Sequence, residues 1–154
     1  MGRSQLELIV KTFGELSNDE LYEIMKLRSM VFVVEQECVY QDLDDRDQDA
    51  VNVFYRDDAG IEAYLRVMDK NEHNNMITIG RVVSIKRRSG LATALLKEGI
   101  RIAEDRFGAE KVYIEAQVYA RSLYEKIGFG QVSEEFLEDG IPHIKMIYEC
   151  GNKG

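Results

Sequence analysis

The sequence predicts an α+β fold, a mixed and mostly antiparallel sheet flanked by helices. Three observations lead there. Three strand-like stretches follow one another between residues 50 and 85, and in the second of them Ile61, Ala63, Leu65 and Val67 alternate with Glu62, Tyr64, Arg66 and Met68. Segments 91–107 and 120–127 carry helical spacing instead, and each stops at a glycine. A further strand-like run, 112–118, lies between them, so the meander passes into a strand–helix–strand crossover.

The elements follow in order. Leu6-Glu7-Leu8-Ile9-Val10 reads as a first strand. Ser17-Asn18-Asp19-Glu20 is a capping box, with Ser17 as N-cap, Glu20 reaching back, and Leu16 and Leu21 placed for a hydrophobic staple. The helix that follows carries Leu21, Ile24, Met25, Val31 and Phe32 on one side. Arg28 falls on the same stripe, where it either snorkels or pairs with a carboxylate such as Glu35. The acidic stretch Asp42–Asp49 reads as a solvated loop with a short helical turn, or as a lure for a cationic substrate. Strands at Ala50–Arg56 and Ile61–Asp69 flank the hairpin signal Asp57-Asp58-Ala59-Gly60, and Met76–Ile85 is the third strand of the meander. Leu91–Phe107 is a helix capped by Gly108, Val112–Val118 a strand, and Ala120–Ile127 a short helix ending at Gly128. Phe129–Glu135 and Ile144–Glu149 are expected to close the sheet. The predicted order is β-α-β-β-β-α-β-α-β-β.

At 154 residues, with no repeat or Pro/Ser-rich linker, residues 1–154 read as one domain. A chain of this size buries roughly two-thirds of its unfolded surface, so it needs neither disulfides nor a structural metal. The formal net charge of −8 disfavours nucleic acid and anionic membrane as partners. Cys38 and Cys150 lack metal-ligand spacing and read as free thiols in a reducing compartment. No long apolar run or signal-like start occurs, and a cytoplasmic location is expected.

The segment with the most chemical content is Val82-Val83-Ser84-Ile85-Lys86-Arg87-Arg88-Ser89-Gly90-Leu91-Ala92, a strand entering a basic turn and then a helix. Unpaired amides and a positive dipole at a helix start favour a phosphate, and glycine allows close backbone approach. An ordinary strand-to-helix turn with a solvated basic face fits the pattern about equally well. The segment is neither GxGxxG nor GxxxxGK[ST], which disfavours Rossmann and P-loop readings. However, Arg87-x-x-Gly90-x-Ala92 resembles the Q/R-x-x-G-x-G/A loop of GNAT acetyltransferases. Downstream, Ala120-Arg121-Ser122-Leu123-Tyr124-Glu125-Lys126-Ile127-Gly128-Phe129 resembles that family's second signature, and the two are one helix and one strand apart. Further segments are similar to the ElaA-like branch: Arg28 with Val31-Phe32-Val33-Val34-Glu35-Gln36, Tyr40 and the acidic loop after it. So are Ile79-Gly80-Arg81-Val82-Val83, Ala116-Gln117 and Phe136-Leu137-Glu138-Asp139-Gly140-Ile141-Pro142-His143. Two positions depart from the pattern. Arg88 stands where many members have a second glycine, and Asn52 where this branch often has histidine.

The resemblance implies an acetyl-CoA-dependent N-acetyltransferase acting by direct attack, without metal, on a small-molecule or peptide amine. Val82, Val83, Arg87, Arg88, Ser89, Gly90, Leu91, Ala92, Thr93 and Tyr124 would bind acetyl-CoA, and a backbone amide near Val83 would polarise the thioester. Tyr124 is the candidate general acid, although its i, i+3, i+4, i+7 spacing with Ala120, Leu123 and Ile127 also fits a core aromatic. Glu115 and His143 are candidate bases, with Glu35 and Glu138 as further ones and Gln117 on the cleft-facing side of the strand with Glu115. A solvated or paired surface role fits each carboxylate, and a water chain to solvent would also take the proton. The family often forms homodimers, but no apolar stripe demands one. The other reading is an acyl-CoA-binding sensor or interaction module on the same fold.

Overall fold

The computed structural model describes residues 6–38, 41–71, 75–85 and 90–151. Residues 51–84 form three strands, β2 (Val51–Asp57), β3 (Gly60–Met68) and β4 (Ile77–Ser84), each antiparallel to the next, and β1 (Glu7–Thr12) pairs antiparallel with β2. The sheet then continues through β5 (Lys111–Gln117), β8 (Ile141–Glu149) and β6 (Gly130–Gln131), with β7 (Phe136–Glu138) also on β8. Only β4 and β5 run parallel, as the crossover requires. Among the described residues, no helix is long and apolar enough to cross a membrane.

Strand parity sorts the side chains onto two faces. Ala63, Leu65, Val67, Ile77, Ile79, Val112 and Ile114 meet the apolar stripe of α2 (Leu91–Phe107), where Leu95, Leu96 and Ala103 are wholly buried. Gly99 lets the helix close in, since a Cβ there would lie 3.0 Å from Leu65 Cδ2. Gly108 ends α2 at φ 63°, a conformation that glycine adopts without strain. The opposite face carries Phe54 and Tyr64, packed with Ile24 of α1 (Asn18–Arg28). Helix α1 starts at the expected capping box: Glu20 N donates to Ser17 Oγ at 3.0 Å, and Ser17 N donates to Glu20 Oε1 at 2.8 Å.

The structure corrects three expectations. Residues 129–135 do not form one strand. Phe129 turns inward, and Lys145 N donates to the Ser133 hydroxyl rather than to a backbone carbonyl, so the ladder stops after Gln131. Residues 136–143 instead fold into a β7–β8 hairpin around Asp139 and Gly140, at φ 53° and 77°. Second, Arg28 does not pair with Glu35. A π-helical segment, Ser29–Glu35, follows α1, and its wider winding carries Glu35 off the face of Arg28.

Third, the acidic stretch is no solvated loop. Arg28, fully buried, donates from Nε to Asp42 Oδ2 at 2.9 Å and from Nη1 to Asp47 Oδ1 at 2.6 Å. Arg66 donates from Nη1 to Asp44 Oδ1 at 2.9 Å and to Asp47 Oδ1 at 3.0 Å. Arg81 donates from Nε to Asp42 Oδ1 at 2.7 Å. Three guanidinium groups thus neutralise three carboxylates between α1, the acidic stretch, β3 and β4. With their charges already engaged, Asp42, Asp44 and Asp47 are poor lures for a distant cation.

Burial would raise the Asp44 pKa, but the hydrogen bond and charge of Arg66 outweigh it and hold it down at about 2. Its stabilising contribution is therefore complete above its ordinary 3.8 and fades as pH falls through about 2. In urea denaturation, Asp44→Asn is expected to be less stable than the parent at pH 7, the gap closing between about pH 4 and 2. Arg28→Met leaves carboxylates buried without one of their partners and should cost about 3–5 kcal/mol in the same measurement at pH 7.

Candidate active site

β4 and β5 begin side by side and then part. Their pairing is confined to Ile77 with Val112 and Thr78 with Tyr113, although β4 runs on to Ser84 and β5 to Gln117. The cause is a bulge in β4. Tyr64 faces Val83 and Arg66 faces Gly80, so Arg81 and Val82 together oppose the single residue Leu65. Ile85 N donates to Glu62 O at 2.8 Å. Strand alternation from there turns the Val83 amide toward β3 and the Val82 amide toward the opening. The amide available near the expected position is therefore that of Val82, one residue earlier in the chain.

A cleft of about 900 Å³ occupies this opening. At one end lie Gly90, Leu91, Ala92 and Thr93, the start of α2. Gly90 is its N-cap at φ 74° and has no side chain with which to cap the helix. The amides of the first turn, which have no helical acceptors, and the positive end of a 17-residue helix therefore face the cleft. Val82 and Val83 also line it. Arg87, Arg88 and Ser89 lie outside the described residues.

Tyr124 lines the same cleft from α3 (Arg121–Ile127). Its ring is 6% exposed and meets Phe129 edge-on at 5.7 Å, while the Gly128 and Phe129 amides both donate to its carbonyl. Tyr124 thus belongs to the buried core and also lines the cleft. Burial pushes the phenol well above its ordinary pKa, with the proximity of Tyr119 adding to the effect. Tyr124 is neutral at physiological pH.

Across the cleft, β5 and the β7–β8 hairpin bring together Tyr113, Glu115, Glu138 and His143. Glu115 does project opposite Ile114 and Ala116, as alternation requires, and Gln117 lines the cleft with it. Tyr113 donates to Glu115 Oε2 at 2.7 Å. Burial raises the pKa of Glu138, and the adjacent Glu115 carboxylate raises it further by hydrogen bonding and repulsion. His143 is 7% exposed, with Nδ1 2.7 Å from Ile141 O. That contact fixes the proton of the neutral ring on Nδ1 and leaves the Nε2 lone pair free, 3.8 Å from Glu138 Oε2.

Glu35 lines the cleft from the π-helical segment, and Asn52 does not line it. Asn52 is instead a buried structural group, accepting from the Tyr64 hydroxyl at 2.5 Å and donating to Lys11 O at 3.2 Å. Both cysteines are free and buried, and Cys38 lies against the hairpin, its Sγ 3.4 Å from Asp139 O. Sequence reasoning missed Tyr113, which reads as a core aromatic among Val112 and Ile114. Its parity with Glu115 is the signal that places it in the cleft.

Known proteins share this fold. The acetyltransferase (GNAT) domain model matches residues 14–150. A UPF0039 protein of Schizosaccharomyces pombe is 37% identical over 150 residues, covering 95% of this chain and 99% of its own. Protein ElaA of Escherichia coli is 34% identical over 141 residues, covering 88% and 92%. Its crystal structure superposes with a TM-score of 0.87 at 32% identity, over 94% of this chain and all of its own. An acyl-CoA N-acyltransferase from Pseudomonas aeruginosa superposes at 0.85 with 38% identity, over 94% and 99%. With this cleft, these relatives and this domain match, the chain belongs to the GNAT acetyltransferase family, in its ElaA-like branch, and is an acyltransferase.

Proposed function

We propose that the protein is an acetyl-CoA-dependent N-acetyltransferase that moves the acetyl group directly to the amine of a small molecule or peptide. One observation carries this reading: the parting of β4 from β5, with a helix start at Gly90 at one side and a buried, neutral tyrosine beside it. The residues present suit acetyl-CoA. The first-turn amides of α2 and the adjoining basic turn would hold its phosphates. The free edge of β4 would pair with its amide-bearing arm as an added strand does, and the Val82 amide would donate to the thioester oxygen as negative charge develops there.

Tyr124 then sits where the sulfur departs. A phenol raised above its ordinary value is a weaker acid than a thiol, so full proton transfer to a thiolate is uphill. Tyr124 therefore acts mainly as a hydrogen-bond donor to the developing thiolate, a refinement of the general-acid role. An attacking amine sheds a proton as it becomes an amide nitrogen. Glu115, Glu138 and His143 Nε2 are candidate acceptors lining this cleft, and burial together with the Glu115 carboxylate raises Glu138 toward the range in which a base works. Cys38 and Cys150 play no part, since the transfer forms no acyl-enzyme.

Calorimetric titration tests the central claim. Acetyl-CoA should bind the parent and fail to bind Arg87→Glu/Gly90→Asp, and a parent that binds no acyl-CoA would overturn it. Tyr124→Phe should lower kcat roughly 100-fold with little change in acetyl-CoA affinity, measured with an amine found by screening. Glu115→Gln removes two of the influences that raise Glu138, so the acid limb of the kcat/KM profile should move to lower pH.

A further inference from the structure

Among the described residues, four that are not glycine hold φ in the left-handed range: Glu37, Asp45, Arg81 and Asp139. Three of them occupy turns or bends. Arg81, at φ 53°, is the one inside a strand. A residue with a Cβ is strained in this conformation and glycine is not, so something must hold it there.

The restraint is the fork of its own side chain. Arg81 Nε donates to Asp42 Oδ1 at 2.7 Å, and Nη2 donates to the Asp42 carbonyl at 2.8 Å. Asp42 is itself fixed, because its other carboxylate oxygen accepts from Nε of the fully buried Arg28 at 2.9 Å. A continuous chain of charge-assisted hydrogen bonds thus runs from the end of α1, through Asp42, to the bulge in β4. Val82 is the second residue of that bulge, and strand alternation turns its amide toward the cleft.

We infer that Asp42 and Arg81 are positioning residues for acyl transfer: their ion pair locks position 81 in its left-handed conformation and so aims the Val82 amide at the reacting carbonyl. The kinetic consequence rests on the acetyl-transfer reading, whereas the backbone consequence stands apart from it. What matters at position 81 is a conformation rather than a charge in the cleft. Glycine should substitute for the tethered arginine, and alanine should not.

The test compares Arg81→Ala, Arg81→Gly, Asp42→Asn and the Arg81→Gly/Asp42→Asn double variant, each checked for folding by circular dichroism. Turnover is measured with acetyl-CoA and a mixture of amino acids, diamines and lysine peptides. The amide signals of Val82 and Val83 are followed by nitrogen-15 NMR in the free protein. R81A should lower kcat about 10–100-fold, with a much smaller change in KM for acetyl-CoA, and R81G should regain most of the loss. D42N should slow the parent yet have little further effect in the R81G background, which is the coupling expected if both act through one conformation. The Val82 signal should move in R81A and D42N and return toward the parent in R81G. An R81A variant with unchanged kcat, an R81G variant as slow as R81A, or an unmoved Val82 signal in R81A would each overturn the inference. If R81A does not fold, the D42N and R81G comparison decides between the same outcomes. If no amine is acetylated by any form, the NMR arm still decides the positioning role, and it is the acetyl-transfer reading that fails.

Discussion

Three arginines and three aspartates buried or half-buried between α1, the acidic stretch, β3 and β4 form the contact on which the site geometry depends. Moving six charges out of water is costly, and their mutual attraction offsets that cost only when nearly every donor finds an acceptor. Here the cluster is electrically balanced, and among the described side chains only Arg66 Nε is a buried polar atom without a partner. A purely apolar cluster of the same volume could hold the same elements together. It could not dictate angle and register at the bulge as a set of directional hydrogen bonds does.

The two faces of the sheet divide the work. The face toward α2 is apolar and close-packed, with Gly99 admitting the helix to contact distance, so β3, β4 and β5 have a rigid backing. The other face is left with Arg66, Thr78, Tyr113 and Glu115, which line the cleft. Because the bulge interrupts only the far half of β4, the strands stay paired near Ile77 and Val112 and open toward the start of α2. A sheet of this kind is stable where it is backed and reactive where it is parted.

Desolvation acts on three cleft groups with different chemical results. It lifts the phenols of Tyr124 and Tyr113, keeping both neutral as donors. It also lifts Glu138, where the neighbouring Glu115 adds to the effect, moving a carboxyl toward the range in which a base works near neutrality. In the proposed reaction, donating to a leaving group and receiving a proton would thus follow from one physical cause applied to different side chains.

Local rules acted where local chemistry was sufficient. The capping box at Ser17 and Glu20, the glycine stops at Gly108 and Gly128, and the strand alternation of residues 61–68 depend on near neighbours in the chain, and they appear where the sequence places them. The helix start at Gly90 was legible for the same reason, whereas Tyr124 was singled out by the resemblance of its segment to a family signature, since helical spacing alone fits a core aromatic. What the tertiary structure decided lies between distant residues. Pairing of Arg28 with Asp42 and Asp47, 14 and 19 residues away, is invisible to helical periodicity, which pointed to Glu35 instead. The left-handed Arg81 carries no glycine to announce it, because its conformation is imposed by Asp42 across 39 residues. The meeting of Glu115 with Glu138 likewise needs the β7–β8 hairpin to fold back on β5. Sequence determined which elements form and which residues could react, whereas long-range electrostatics and strand pairing decided which of them meet.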